Sequence, residues 1–139
     1  MDIEALIRAL ENESNVNVID TNRRKIKSEI NDILQQLPLD SKRLKLFNKN
    51  LKNYIYTSNI NDIKIGHSIR YINIENPENI KLSQNYLICN INVNEKGIII
   101  TLKSFNNRYF TIYFHKYLIF KKISNEESFI LKALEQITK

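Results

Sequence analysis

The sequence predicts an α+β fold, with an N-terminal helical hairpin, a small five-stranded β-barrel of the SH3-like or Tudor-like type, and a C-terminal helix. Apolar residues recur every three to four positions up to about residue 57, and again after residue 123. Between residues 63 and 123, short runs rich in Ile, Tyr, Phe and Thr alternate with turn-forming clusters, as β-strands do. We therefore divide the chain into a helical region over residues 1–57, a barrel over 63–123 and a C-terminal helix over 124–139 that packs on the rest.

Three helices are expected in the N-terminal region. The first is indicated by apolar residues with the spacing of one helical face: Ile3, Leu6, Ile7 and Leu10. The second is expected to start at Asp20 or Thr21 and to end before Pro38, because proline disfavours helix at the residue before it. The third is expected to start at Asp40, with an apolar row comprising Leu44, Phe47, Leu51 and Ile55. The short link at Pro38 predicts that the second and third helices form a hairpin.

Five strands are expected, over residues 68–74, 85–93, 98–103, 109–114 and 118–122. Tight loops at residues 94–97 and 104–108 predict hairpins, and Gly97 can supply the positive φ that such a turn needs. After the last strand, Ser124 and Glu127 have the spacing of a capping box. They precede an apolar helical face comprising Phe129, Ile130, Ala133, Leu134 and Ile137.

The positive charge is concentrated in the middle of the chain. The net charge is +6, and residues 21–53 contain nine basic residues against three acidic ones. A basic sequence can be steered towards nucleic acid or towards an acidic protein, and it can also serve solubility alone. The charge therefore leaves both classes of partner open.

Composition argues against several other classes of protein. Cys89 is the single cysteine of the sequence, so no disulfide forms within the chain, and no set of Cys and His has metal-ligand spacing. The first residues are acidic where a secretory signal would be basic, and no run of about 18 apolar residues follows. We therefore expect a soluble, intracellular protein with no cofactor, no metal and no membrane association.

Catalytic motifs are not evident in the sequence. His67 and His115 lie in no recognisable nucleophile motif, and the two glycines stand alone, so they form no glycine-rich phosphate loop. Cys89 is expected to fill the core as a small apolar residue, on the strand face that it shares with Leu87 and Ile91. We therefore expect no enzymatic activity.

A first candidate partner-binding site opens the second predicted helix, with four basic residues: Arg23, Arg24, Lys25 and Lys27. The helix dipole is positive at this end and disfavours cations there. The arrangement becomes favourable if a phosphate or an acidic partner binds, because the exposed N–H groups and the bases then act together. The alternative is a solvated charged face.

A second candidate lies in the predicted strand at residues 109–114. The period of two places Phe110 and Ile112 on one face, and Tyr109 and Tyr113 on the other, with Arg108 beside them. The tyrosine face can pack within the protein, meet a protein partner, or stack single-stranded nucleic acid. We take Arg108, Tyr109 and Tyr113 as candidate partner-binding residues.

The strand region also resembles a pattern in small proteins of nucleocytoplasmic large DNA viruses. The resemblance covers residues 63–123 and rests on short motifs: Gly66-His67-Ser68-Ile69-Arg70-Tyr71, Tyr86-Leu87-Ile88, Gly97-Ile98-Ile99-Ile100-Thr101-Leu102-Lys103 and Leu118-Ile119-Phe120-Lys121-Lys122. It implies a non-enzymatic virion or infection-stage protein with an SH3-like barrel, located in the host cytoplasm or in the virion.

Gly66, Arg70, Tyr71 and Gly97 are expected to be structural residues of the barrel. The stem of Arg70 can cover apolar surface while its guanidinium bonds a loop carbonyl or Glu75; the alternative is an arginine that binds a partner. The sequence as a whole predicts a binding or structural module that contacts a protein partner or a second copy of itself. Nucleic-acid binding through the basic helix start and the barrel bases is the alternative function.

Overall fold

The computed structural model describes residues 2–12 and 21–137. Within these ranges the chain forms four α-helices: α1 (Ile3–Glu11), α2 (Arg23–Gln35), α3 (Ser41–Asn50) and α4 (Asn125–Ile137). It also forms six β-strands: β1 (Tyr54–Thr57), β2 (Ser68–Asn73), β3 (Tyr86–Asn94), β4 (Gly97–Lys103), β5 (Tyr109–Tyr113) and β6 (Tyr117–Lys122). Short 3₁₀ turns precede β2 and β6, at Ile60–Asp62 and Phe114–Lys116.

The six strands form one antiparallel sheet in the order β1-β6-β2-β3-β4-β5. This sheet is open, so the predicted five-stranded SH3-like or Tudor-like barrel is wrong, whereas the N-terminal and C-terminal helices fit in part. The physical reason is an additional strand. Because β6 pairs with β2 on one side and with β1 on the other, the edge of β6 that a barrel would need for closure is already occupied.

The additional strand comes from residues that the helical period assigned to the third helix. That helix, α3, ends at Asn50, and Ile55 lies in β1 instead. The segment Tyr54–Thr57 contains only aromatic and β-branched residues, which favour a strand. Three of its four residues are buried, so tertiary packing reinforces that preference.

The starts of α2 and α3 follow local capping chemistry. Asn22 caps α2, because its side-chain oxygen accepts the main-chain N–H of Lys25 at 2.9 Å. The predicted cap at Asp20 or Thr21 is therefore wrong, and Asp20 itself lies outside the described residues. Asp40 caps α3 as predicted. The two helices pack against each other and form the expected hairpin.

A buried ion pair fixes the C-terminal helix to the sheet. Lys121 Nζ lies 2.7 Å from Glu127 Oε2, and both side chains are almost completely buried. Glu127 also forms the predicted capping box: its Oε1 accepts the N–H of Ser124 at 3.1 Å, and Ser124 Oγ accepts the N–H of Glu127 at the same distance. One carboxylate thus joins β6 to the first turn of α4.

Two apolar clusters stabilise different ends of the sheet. The larger cluster joins the helices to β1 and β6, and its most buried members include Leu34, Leu51, Phe120, Ile130 and Leu131. The smaller cluster lies among the strands, together with Ile63 just after the first 3₁₀ turn: Ile63, Ile69, Ile88, Ile100, Leu102, Ile112 and Ile119. The β1 end of the sheet is therefore covered by helices, whereas the β5 end depends on side chains of the sheet.

The core-facing residue of β3 differs from the prediction. The register between β3 and β4 shifts between Ile88 and Asn90, so Cys89 lies at an irregularity of the strand. Ile88 is buried, whereas Leu87 is exposed. The prediction that Leu87 and Cys89 share a core face is wrong, because the irregularity interrupts the alternation from which it was inferred.

Candidate functional site

The hairpin of α2 and α3 forms a cleft that is rimmed by cations. Its apolar floor and its rim both follow from helical spacing: the stripe of α2 that enters the core lies beside the row containing Arg23 and Lys27. The cleft has a volume of about 290 Å³. Four cations line it, Arg23, Lys27, Lys49 and Lys52, above four apolar residues, Ile26, Ile30, Leu51 and Ile123. We call this feature the basic cleft.

The rim of the basic cleft is positively charged, and the described part of its lining offers no counter-charge. None of the described residues that line it is acidic. The guanidinium of Arg23 donates to the hydroxyl of Ser128 in α4, so this cation is held in place by the C-terminal helix. In the part of the chain that the structure describes, no hydrogen bond or ion pair engages the ammonium groups of Lys27, Lys49 and Lys52. These three lysines are therefore available to an anionic partner.

A second depression, lined by polar and charged residues alone, adjoins the basic cleft on the same hairpin. It has a volume of about 510 Å³ and is lined by Arg24, Lys27, Ser28, Asn31, Lys45 and Asn48. Asn48 Nδ2 donates to Asn31 Oδ1 at 3.0 Å, which links α3 to α2 across it. We call it the polar depression. Of the four basic residues predicted as a site, Arg23, Arg24 and Lys27 line one of these two features, whereas Lys25 lines neither.

Sequence reasoning missed the contribution of α3 to this surface. Lys45 and Lys49 are four residues apart and therefore share one face of α3, with Lys52 shortly after the helix ends. This spacing was visible in the sequence. The packing of α3 against α2, which brings the bases of both helices to one surface, was not.

The other candidate residues lie at the far end of the sheet from the basic cleft. α2 packs against β1 at one edge, whereas Tyr109 and Tyr113 lie in β5 at the opposite edge. The side chain of Tyr109 is 62% exposed, and the ammonium of Lys103 lies 5.6 Å from its ring centre. Lys116 Nζ lies 5.3 Å from the ring centre of Tyr113. The structure therefore divides the predicted partner-binding residues between two separate surfaces.

Arg70 makes contacts within the fold. Its Nε donates to the carbonyl of Ser83 at 2.8 Å, and its Nη1 donates to the carbonyl of Asn50 at 3.0 Å, at the end of α3. The guanidinium also lies 5.8 Å from the ring centre of Tyr54. A cation at a helix C-terminus is electrostatically favourable. The anticipated alternative partner, Glu75, lies 3.7 Å from Lys116 Nζ.

Gly66 and Gly97 both have positive φ, at +96° and +132°. A Cβ at Gly66 would meet open space, whereas a Cβ at Gly97 would come within 2.9 Å of the His115 ring. Tyr71 stacks on Tyr117 with ring centres 5.1 Å apart, and burial raises the pKa of the Tyr71 hydroxyl. These positions shape the strands and their turns.

The histidines and the cysteine are not assembled into a recognisable catalytic group in the described ranges. His67 Nδ1 accepts the main-chain N–H of Lys64 at 3.0 Å, which requires a ring nitrogen without a proton. Burial lowers the pKa of His67, and the positive charge of Lys121 lowers it further. The side chain of His115 lies beside Tyr113, with ring centres 5.9 Å apart. Cys89 Sγ contacts the carbonyl of Leu87 at 3.9 Å.

Residues 2–12 and 21–137 contain no group of three or more His, Cys, Asp or Glu side chains that could hold a metal ion. No described helix has both the length and the apolar character needed to cross a membrane. Comparisons with protein-family models, curated proteins and solved structures find no significant match to this chain.

Proposed function

We propose that the protein is a binding module without catalytic turnover, and that it holds an acidic segment of a partner protein in the basic cleft. The observation that carries the proposal is the composition of the cleft: four cations rim an apolar floor, and none of the described lining residues is acidic. Carboxylates of a partner would form charge-assisted hydrogen bonds with the exposed lysines. The resemblance to proteins of large DNA viruses supports a non-enzymatic role in a virion or during infection.

The apolar floor favours a protein over a nucleic acid. A side chain such as Leu or Phe, flanked by Asp or Glu, would cover the aliphatic stems of the rim cations and the small apolar surface left at the floor, where Ile26, Ile30 and Leu51 are almost completely buried, while its neighbours meet the lysines. Proteins that bind single-stranded nucleic acid instead present aromatic rings for base stacking. No aromatic residue is among the described residues that line the basic cleft. The partner that satisfies both floor and rim is therefore an acidic segment with an apolar anchor.

Nucleic acid remains a second candidate because of the polar depression. Its lining combines the cations Arg24, Lys27 and Lys45 with the amides of Asn31 and Asn48. Side chains of these types contact phosphate and sugar groups in protein–DNA complexes. The two candidates therefore use adjacent parts of one basic surface, and they can be separated by the ligand that binds.

The test uses a labelled peptide in which Glu residues flank a single Leu, together with a matched peptide that carries Ala in place of Leu. The triple variant Lys27→Gln, Lys49→Gln, Lys52→Gln should lose at least tenfold in affinity for the Leu peptide, because three charge-assisted contacts are removed. The control variant Lys81→Gln, Lys96→Gln, Lys132→Gln loses the same charge at exposed positions elsewhere and should bind nearly as well as the unchanged protein.

Three outcomes would contradict the proposal or part of it. Equal binding of the Leu and Ala peptides would show that the apolar floor takes no anchor. Micromolar binding of DNA or RNA at physiological salt that disappears in the cleft variant, with no peptide binding, would establish the nucleic-acid candidate instead. Turnover of a substrate that depends on Cys89 or His115 would remove the non-catalytic part of the proposal.

A further inference from the structure

The two edges of the sheet are protected very differently. β1 is largely buried and packs against α2. β5 pairs with β4 alone, and its exposed residues include Tyr109 and Thr111. An edge strand presents unpaired main-chain groups to other chains. Proteins commonly protect such an edge with proline, with a charged side chain such as lysine, or with a bulge. Residues 109–113 contain no proline or lysine, and their register with β4 is regular.

The register of the β4–β5 hairpin shows which main-chain groups point outward. The N–H of Ser104 donates to the carbonyl of Arg108 at 2.9 Å, so these residues form a hydrogen-bonded pair. Bonded and non-bonded pairs alternate along an antiparallel ladder. Phe110 and Ile112 therefore bond to β4, while the N–H and C=O groups of Tyr109 and Thr111 face away from it. Among the described residues, no other group bonds to these outward N–H and C=O groups.

We propose that two copies of this chain associate by pairing their β5 strands antiparallel, about a two-fold axis at Thr111. The sequence Tyr-Phe-Thr-Ile-Tyr of β5 is nearly symmetric about its central threonine. In this register Thr111 faces Thr111, Tyr109 faces Tyr113, and Phe110 faces Ile112 of the second copy. Thr–Thr, aromatic–aromatic and aromatic–β-branched pairs are the cross-strand combinations that stabilise sheets.

The pairing also continues the smaller apolar cluster across the axis. Ile112 is buried in that cluster, and Phe110 packs against it while remaining partly exposed. A second copy would place its own Ile112 beside Phe110 on the same face. Twelve strands would then form one sheet with β1 at each outer edge, where α2 covers it. The assembly is closed by symmetry, so it stops at two copies.

Positive charge at the edge sets the salt dependence of this association. Lys103 lies over Tyr109 and Lys116 lies over Tyr113, so the two-fold register brings cations of the two copies near each other. Added salt screens repulsion between like charges. The dimer should therefore strengthen with salt, whereas binding of an acidic ligand in the basic cleft should weaken.

The test is sedimentation velocity of the full chain over a wide range of protein concentration, at low and at high salt. We expect a monomer–dimer equilibrium that shifts towards dimer with concentration and with salt. Thr111→Lys should reduce dimerisation at least tenfold, because the two new charges would face each other on the axis. Asn92→Lys adds the same charge at an exposed position of β3 and should leave the equilibrium unchanged.

Two further measurements guard against a variant that misfolds. Thr111→Pro removes an outward N–H that bonds to no group of β4. This variant should keep the circular dichroism spectrum of the folded protein and should sediment as a monomer. In the unchanged protein, exchange of the Tyr109 and Thr111 amides should slow as concentration rises. A protein that stays monomeric at every concentration, a dimer that survives Thr111→Lys, or open-ended growth into larger assemblies would each overturn the proposal.

Discussion

The helical surface and the strand edge offer partners two different kinds of contact. The basic cleft presents side-chain charge around an apolar floor, and it rests on the larger cluster that joins the helices to β1 and β6. The β5 edge presents main-chain groups and aromatic rings, and it rests on the smaller cluster within the sheet. A basic sequence therefore does not imply one basic surface. Predictions that disturb one region and spare the other test this division.

The largest effect is expected from Glu127→Gln, which removes the charge from the buried ion pair but keeps an acceptor for the capping box. The ammonium of Lys121 would lose its buried carboxylate, and such changes typically cost about 3–5 kcal/mol of unfolding free energy. Denaturant unfolding measures the loss. Hydrogen exchange should show that α4 loses protection before β4 does, because the pair joins α4 to β6.

The matched control is Glu126→Gln, which removes a charge from the same first turn of α4 at an exposed position. Glu126 Oε1 accepts a hydrogen bond from Asn12 Nδ2 at 3.0 Å, and a Gln side chain keeps an acceptor for it. Exposed charges contribute little to stability, so the free energy of unfolding of this variant should be close to that of the unchanged protein. Equal stability of the two variants would mean that the Lys121–Glu127 pair does not fix α4 to the sheet.

An intermediate effect is expected from Gly97→Ala at the β3–β4 turn. The alanine would have to adopt the positive φ of Gly97, and its Cβ would approach the His115 ring to within 2.9 Å. A non-glycine residue held in such a conformation costs about 1–3 kcal/mol. Gly66→Ala is the control, because it carries the strain of a positive φ but meets open space. The melting temperature of Gly97→Ala should be lower than that of Gly66→Ala. The reverse order would contradict the close approach of the new Cβ to the His115 ring.

The contrast between the two regions also explains what the sequence could predict. The cap at Asp40 and the capping box at Ser124 are local patterns, and the structure confirms them. The predicted apolar helix faces are confirmed only in part, because Ile3, Ile7 and Ile137 are exposed. The prediction of a barrel was wrong because closure depends on which strand lies beside β6, and that strand is β1. Ile55 matched the helical period of the third helix, although it belongs to β1. Short apolar runs are ambiguous in this way.

The candidate sites divide along the same line. The bases of α2 were evident from sequence, but their meeting with Lys49 and Lys52 depends on how α3 packs. The buried pair of Lys121 and Glu127 was also hidden, since a lysine in a strand ordinarily predicts a solvent-facing position. The sequence did not predict contacts that depend on tertiary packing, whereas it did predict contacts within one helical turn.

The smallest effect is expected from pH. The pKa of His67 is lowered by burial and by Lys121, so the unfolded chain binds this proton more readily than the folded protein does. The contribution of neutral His67 to the free energy of unfolding should therefore be fully present above the ordinary pKa of about 6.5, and it should fall as the pH drops below that value. His67→Asn should flatten this dependence, whereas His115→Asn, at an exposed position, should retain it. Thermal unfolding at a series of pH values provides the comparison, and an unchanged slope in His67→Asn would contradict it.

The division between a charged cleft and a main-chain edge is tested most directly by salt. The same protein should be titrated with the Leu-anchored acidic peptide, and its monomer–dimer equilibrium measured, over one series of salt concentrations. Screening weakens attraction between opposite charges and relieves repulsion between like charges. We expect peptide affinity to fall and dimerisation to rise as salt increases. If peptide affinity and dimerisation changed in the same direction with salt, the result would contradict opposite-charge attraction at the basic cleft combined with like-charge repulsion at the β5 edge.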